Sequence, residues 1–252
     1  MTQSNVSITL TSLASLLLAG CAAGNRYAAA PLLQRDTAGT SIEGRNIKVQ
    51  ILGHGDEVIF VMAGIHGNEA DGIPLVAKLS EYLRQNPRLL KGRKVVLLPK
   101  VNPDGVNYNI RFNANGVDLN RNFAADNRIS EDEYGLAALS EPESRIIEGI
   151  IKQYRPKRVI SLHQPAAAGY GWIDFDGPCE DIAERVSRLS GLPLRKLGTY
   201  PGSLGSYVGN TLNTPIITFE QPHNTERLNP RQLWQRYGKA LVAAVVFPDE
   251  VR

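Results

Sequence analysis

Two side chains able to ligate a metal, His66 and Glu69, stand three residues apart, and a third, His163, follows far downstream. Catalytic zinc takes three protein ligands, often two His and one Glu, and keeps a fourth position for water. A further carboxylate nearby can take that water's proton, and Glu220 is the candidate. The chemistry this set implies is metal-assisted hydrolysis. A lone histidine is more often a satisfied core residue. Two histidines that each follow an apolar run, one of them in a His-x-x-Glu, point to ligation instead. His54 and His223 lack that context and read as surface or supporting residues.

The segments that must hold these residues alternate between strand and helix. Residues 47–52 alternate apolar and polar, whereas residues 58–63 and 94–98 are continuous apolar runs, as in buried strands. Residues 158–162 and 215–219 read as further strands, ending at His163 and Glu220. Ile73, Val76, Leu79, Tyr82 and Leu83 share one helical face. Ser140-Glu141-Pro142-Glu143 reads as a capping box ahead of a helix that buries Ile146, Ile147, Ile150 and Ile151. Ile182, Val186 and Leu189 predict a helix stopped by Gly191. Asn229-Pro230 opens a last helix with Leu233, Trp234, Tyr237, Leu241 and Val245 inward. Residues 102–122, rich in Asn and Gly, read as a long loop, and long loops in compact domains are usually functional.

This order is α/β throughout. In such sheets ligands bind beyond the carboxyl ends of the strands. His66, Asn102, His163 and Glu220 each follow an apolar strand, so four polar segments converge on one edge of the sheet.

A chain of 252 residues favours one large domain, and a net charge of +3 with no basic run gives no argument for nucleic acid. Residues 8–18 are apolar but too few to span a bilayer. They end in Leu18-Ala19-Gly20-Cys21, which resembles the lipobox of a bacterial lipoprotein signal peptide, with Cys21 as the lipidated residue. No Lys or Arg precedes the apolar run, whereas a signal peptide normally has a positive start. The expected organisation is a signal peptide over 1–21, a tether over 22–41 and a catalytic domain over 42–252. Ala22 after the anchor resembles sorting to the periplasmic face of an outer membrane. Cys179, the other cysteine, reads as a small packing residue.

Five segments, in order, resemble the zinc carboxypeptidase family: Gly64-Ile65-His66-Gly67-Asn68-Glu69, Asn102-Pro103-Asp104-Gly105, Asn115-Gly116-Val117-Asp118-Leu119-Asn120-Arg121-Asn122-Phe123, Ser161-Leu162-His163 and Thr218-Phe219-Glu220. Arg111-Phe112-Asn113-Ala114-Asn115, Ser140-Glu141-Pro142-Glu143 and Pro201-Gly202-Ser203-Leu204-Gly205-Ser206-Tyr207 resemble its murein-cleaving branch. The resemblance implies a single-domain, three-layer α/β/α fold around a mixed central sheet. It implies one Zn2+ held by His66, Glu69 and His163, with Glu220 as general base and acid. Arg111 would polarise the scissile carbonyl, and Asn120 and Arg121 would hold a terminal carboxylate. Tyr200 is the candidate for a tyrosine that closes over substrate, with Tyr207 as its competitor. Asp174, with Asp176 close by, could meet a substrate ammonium, although a turn at Asp176-Gly177 explains one of them without any substrate.

The implied substrate is a murein peptide, cut at the amide between γ-D-glutamate and diaminopimelate. A general metallocarboxypeptidase, an aspartoacylase-type deacylase and a non-catalytic peptide-binding lipoprotein stay open. Gln164, directly after the last ligand, departs from the murein-cleaving pattern, which has Asp there.

Overall fold

The apolar runs form the middle of a seven-stranded sheet in the computed structural model, which describes residues 34–165, 170–222 and 228–249. From one edge to the other, the strands are β1 (Gln34–Thr40), β2 (Asn46–Gly53), β4 (Arg93–Leu98), β3 (Glu57–Ala63), β5 (Arg158–His163), β7 (Ile216–Glu220) and β6 (Trp172–Asp176). The central four, β4, β3, β5 and β7, are parallel, and the outer strands are antiparallel to their neighbours. The sheet is therefore mixed.

Both faces of the central strands are covered. On β3, Ile59, Val61 and Ala63 enter one apolar cluster while Val58, Phe60 and Met62 enter another. Side chains alternate between sheet faces, so a strand covered on both sides carries an unbroken apolar run. Helices α1 (Gly72–Gln85), α4 (Glu180–Ser190) and α5 (Pro230–Val246) pack on the first cluster, and α3 (Pro142–Tyr154) on the second. The result is a three-layer α/β/α arrangement. Helix α4 ends where Gly191 takes a positive φ and α5 starts at Asn229-Pro230, as the sequence suggests; a capping box between Asn229 and Gln232 closes that start.

Three local expectations are corrected. Strand β1 falls inside the stretch expected to be a tether, so the domain includes residues from Gln34 rather than starting at 42. It is a largely exposed edge strand with a register shift between Thr37 and Gly39, and such a strand has no apolar alternation to find. Residues 102–122 are not all loop. The Asn102 side chain accepts from the Gly105 N–H and starts the short helix α2 (Pro103–Tyr108). Ser140 does not cap α3. Its hydroxyl donates to Glu141, the actual N-cap, and Pro142 opens the helix. Glu143 turns inward instead, accepting from the Ile42 N–H and the Asn113 amide. No helix of the described residues is long and apolar enough to cross a membrane.

Candidate active site

The chain leaves β3 and turns immediately into the His66–Glu69 segment. That turn is locked against α2: a Cβ on Gly67 would sit 1.9 Å from the Gly105 carbonyl carbon, so only glycine fits. Asn102 N–H donates to the Gly64 carbonyl, tying this loop to the one after β4. The His66–Glu69 segment is thereby held by backbone contacts with the loop after β4.

His66, Glu69 and His163 are buried, and one donor atom from each lies within 4.8 Å of the others. His66 Nδ1 is 2.7 Å from Glu69 Oε1, and His163 Nδ1 is 2.9 Å from Glu69 Oε2. On its far side, His66 Nε2 is 3.1 Å from Asp118 Oδ1. A carboxylate on one ring nitrogen holds a proton there and leaves the other nitrogen's lone pair free to ligate. Burial pushes the His66 imidazolium towards losing its proton, but the facing Glu69 and Asp118 carboxylates outweigh it and raise the pKa to about 9. Burial likewise opposes ionisation of Glu69 and Asp118, yet the imidazoles beside them hold both well below the usual carboxylate range. The pocket is thus electrostatically arranged for positive charge. Two imidazole nitrogens and one carboxylate are a donor set that suits zinc.

Glu220 ends β7 directly opposite His163 in the register. Burial raises its pKa to about 7, with Glu69 and Asp174 adding to the shift while His163 and His66 oppose it. Its Oε2 is buried without a hydrogen-bond partner among the described residues. An unpaired carboxylate with a pKa near neutrality is suited to taking and returning a proton.

The long loop before α3 supplies the guanidiniums. Arg111 pairs with Asp118 at 2.9 Å and with Glu69 at 3.3 Å, which holds its head over the ligand set. Asn120 and Arg121 lie in a single 3-10 turn (Leu119–Arg121), started by Asp118 accepting from the Asn120 N–H. Asn120 Oδ1 accepts from the Leu204 N–H. The Arg121 guanidinium donates to the Asn120 carbonyl and lies 4.6 Å from the Tyr200 ring centroid, but makes no ion pair among the described residues.

His66, Glu69, Arg111, Asn120, Arg121, His163, Asp174, Tyr200 and Glu220 all line one cavity of about 420 Å³. The two tyrosines are separated by position: Tyr200 is exposed at the cavity wall, while Tyr207 is buried against Phe123 with its hydroxyl on Glu148. His54 is exposed, and His223 and Cys21 lie outside the described residues. Burial pushes the Cys179 thiol up to about 11, so it stays protonated and unreactive.

Two participants escape a reading by residue type. Asp118 orients His66 and Arg111 together; its place within the Asn-Gly-Val-Asp-Leu-Asn-Arg-Asn-Phe segment was the one available signal. Gln164 donates its backbone N–H to Glu69 Oε2 and its amide to Asp71, a contact that no sequence pattern announces.

Ligands at strand ends, an unpaired carboxylate beside them and guanidiniums above them define a metal-dependent hydrolase. Residues 28–189 match the zinc carboxypeptidase family, and the chain belongs to that family. Murein peptide amidase A of Escherichia coli is 36% identical over 180 residues, covering 64% of this chain and 70% of that protein. Gamma-D-glutamyl-L-diamino acid endopeptidase 1 of Lysinibacillus sphaericus is 26% identical over 262 residues, covering 84% and 66%. The crystal structure of murein-tripeptide amidase from Escherichia coli superposes with a TM-score of 0.65 at 26% identity, covering 86% of this chain and 93% of that one. Carboxypeptidase A of Helicoverpa armigera shares the fold at a TM-score of 0.68 and 19% identity, covering 86% and 70%.

Proposed function

We propose that this protein is a zinc metallopeptidase that hydrolyses the amide bond next to a carboxylate-bearing terminal residue, and that this bond joins γ-D-glutamate to diaminopimelate in murein peptides. The observation that carries the reading is the half-buried Glu220, whose buried Oε2 has no hydrogen-bond partner among the described residues, beside the His66, Glu69 and His163 set in the cavity that Arg121 lines. The murein-tripeptide amidase likeness, over 93% of that chain, supports the choice of substrate.

His66, Glu69 and His163 would hold one zinc ion. When bound, zinc supplies Lewis acidity: it acidifies water and polarises a carbonyl. Glu220 takes the proton of the attacking water and returns it to the leaving nitrogen. Arg111, pinned by Asp118, stabilises the negative charge that develops on the scissile carbonyl oxygen. Arg121 and Asn120 hold the terminal carboxylate, since the planar fork of Arg matches a carboxylate with two parallel hydrogen bonds. Tyr200, lying against Arg121, covers that end of the substrate.

The lipobox-like Leu18-Ala19-Gly20-Cys21 supports export with Cys21 as a lipid anchor, on the periplasmic face of an outer membrane, where murein lies within reach. The test is mass spectrometry of defined murein tripeptides digested with and without a chelator. Release of free diaminopimelate that the chelator stops and zinc restores is the expected result. Cleavage of ordinary dipeptides far faster than of the γ-D-glutamyl bond overturns the choice of substrate.

A further inference from the structure

Charge is divided unevenly between the two ends of the sheet. The catalytic edge is the carboxyl end of β4, β3, β5 and β7. Beside it, the loop before α3 carries Asp126, Glu131, Asp132 and Glu133, all exposed. The Asp118 N–H donates to the Glu133 carbonyl, which fixes this acidic loop next to the site. At the opposite end α1 finishes, β4 begins, α3 finishes and β5 begins. Exposed cations gather there: Arg84 in the last turn of α1, Arg88 and Lys91 ahead of β4, and Arg155 and Lys157 between α3 and β5. The Gly55 N–H donates to the Arg93 carbonyl and the Lys157 N–H to the Val58 carbonyl, which keeps these segments side by side.

The acids at this end do little to offset them. Asp56 is exposed among the cations, and Glu81 pairs with Lys78. Glu57 is held by Arg93 and Arg158, and Asp249 by Arg93. Those two arginines are buried and also donate to carbonyls at the end of α5, so their charges are matched within the chain. The acidic first turn of α4, Glu180 and Asp181, lies under β6, at the sheet edge remote from β1. The cationic ground is therefore under β4, β3 and β5, on the β1 side. Strand β1 begins on this side too: Gln34 pairs with Ile51, level with Val96 of β4, and the strand runs from there towards the catalytic edge. Residues 22–33 separate Cys21 from Gln34 and reach at most about 40 Å.

We propose that this basic end of the domain docks on an anionic phospholipid surface and turns the catalytic cavity away from it. A lipid on Cys21 keeps the domain within about 40 Å of the bilayer, and charge then selects the face that meets it. Each Lys or Arg close to an anionic bilayer adds to the attraction, while the acidic loop at the catalytic edge is repelled. The field fades over a Debye length of about 10 Å at 0.1 M salt, and the six residues of β4 alone span about 20 Å. The two ends therefore meet the surface as separate charges, and one orientation is favoured over its inverse. Substrate then enters from the side that faces away from the lipid. The proposal rests on the anchor reading above for proximity and on charge for the choice of face, and on neither count does it depend on which peptide is cut.

The experiment uses the full chain with Cys21→Ser, which carries no lipid, and follows its co-flotation with vesicles. One set is phosphatidylcholine alone, and the other is equal parts of phosphatidylcholine and phosphatidylglycerol. Partition into the anionic vesicles is expected to exceed that into the neutral ones by about 10²-fold and to fall as salt is raised. Arg84→Gln, Lys91→Gln and Lys157→Gln together should weaken it by about fivefold for each cation removed, with thermal unfolding and turnover of a soluble peptide unchanged. Lys100→Gln and Arg231→Gln, after β4 and at the start of α5 on the catalytic side, should leave it as it was. Equal partition into both vesicle types, or the same loss per cation from either set of variants, overturns the docking face. Retention by isolated murein in place of vesicles overturns it as well. The mass of the mature, unaltered chain reports the lipid separately: an unlipidated chain that still prefers anionic vesicles keeps the docking face and defeats the anchor reading.

Discussion

The two ends of the cavity are built on opposite plans. Around His66, Glu69, His163, Asp118 and Arg111, nearly every polar group meets another polar group of the chain, each fixed in turn by a neighbour. At the Ser161, Asp174 and Asp176 end, the Ser161 hydroxyl is buried without a partner among the described residues, and the Asp174 carboxylate accepts only from backbone N–H groups. The first plan sets geometry before anything binds, and the second leaves polar groups with hydrogen-bonding capacity to spare. Arg121 belongs to the second plan although it sits near the first, since its guanidinium has no ion-pair partner among the described residues.

That contrast can be broken at either end, and the effects should fall in order. Replacing His163 with Ala removes a ligand from the crowded end, and turnover should fall below detection together with zinc content, measured by metal analysis of the purified protein. Arg111→Ala removes one donor from the developing oxyanion and should lower kcat by about 10²–10³-fold with zinc content kept. Asp118→Asn leaves the shape but loses the charge behind His66. Zinc affinity, read by competition with a chelator, should weaken by about 10–100-fold. At the open end, D174N should move only substrate choice, by about tenfold.

Acid separates the two ends as well. In the proposed role Glu220 acts in its ionised form, so kcat/KM should fall as pH drops through the pKa of its carboxyl. Burial places that value at about 7, and the charge of a bound zinc ion pulls it lower. The acid limb of the pH profile should therefore lie at or below neutrality and disappear in the residual activity of a Glu220 variant. A limb set instead by loss of zinc would track metal content across the same pH series.

The crowded end was the more legible in sequence, for a physical reason. Ligation demands particular residue types, and the apolar strands that carry His66, His163 and Glu220 leave long, unambiguous runs. Partners recruited from irregular backbone carry no such period. Asp118 and Gln164 were missed as supports because their roles come from where the loops after β4 and β5 fold back, not from spacing. Asp174 was legible as an acid near a ligand, but its burial was not, because an alternating strand looks the same whether its polar face meets water or a closed cavity. Strand β1 was lost to the tether because an exposed edge strand has little to bury. Ser140 looked like a helix cap, whereas Pro142 and the amide of Asn113 drew Glu143 into the interior.

The division between holding metal and moving protons is the central claim, and the Glu220→Gln variant tests it most directly. Gln keeps the size of the side chain and cannot take a proton. With zinc content and murein-tripeptide turnover measured on the same preparation, the expected result is full zinc occupancy with turnover lowered by about 10²–10⁴-fold. Turnover close to that of the unaltered protein in a zinc-loaded Glu220→Gln sample would contradict the role given to Glu220 and with it the reading of the site.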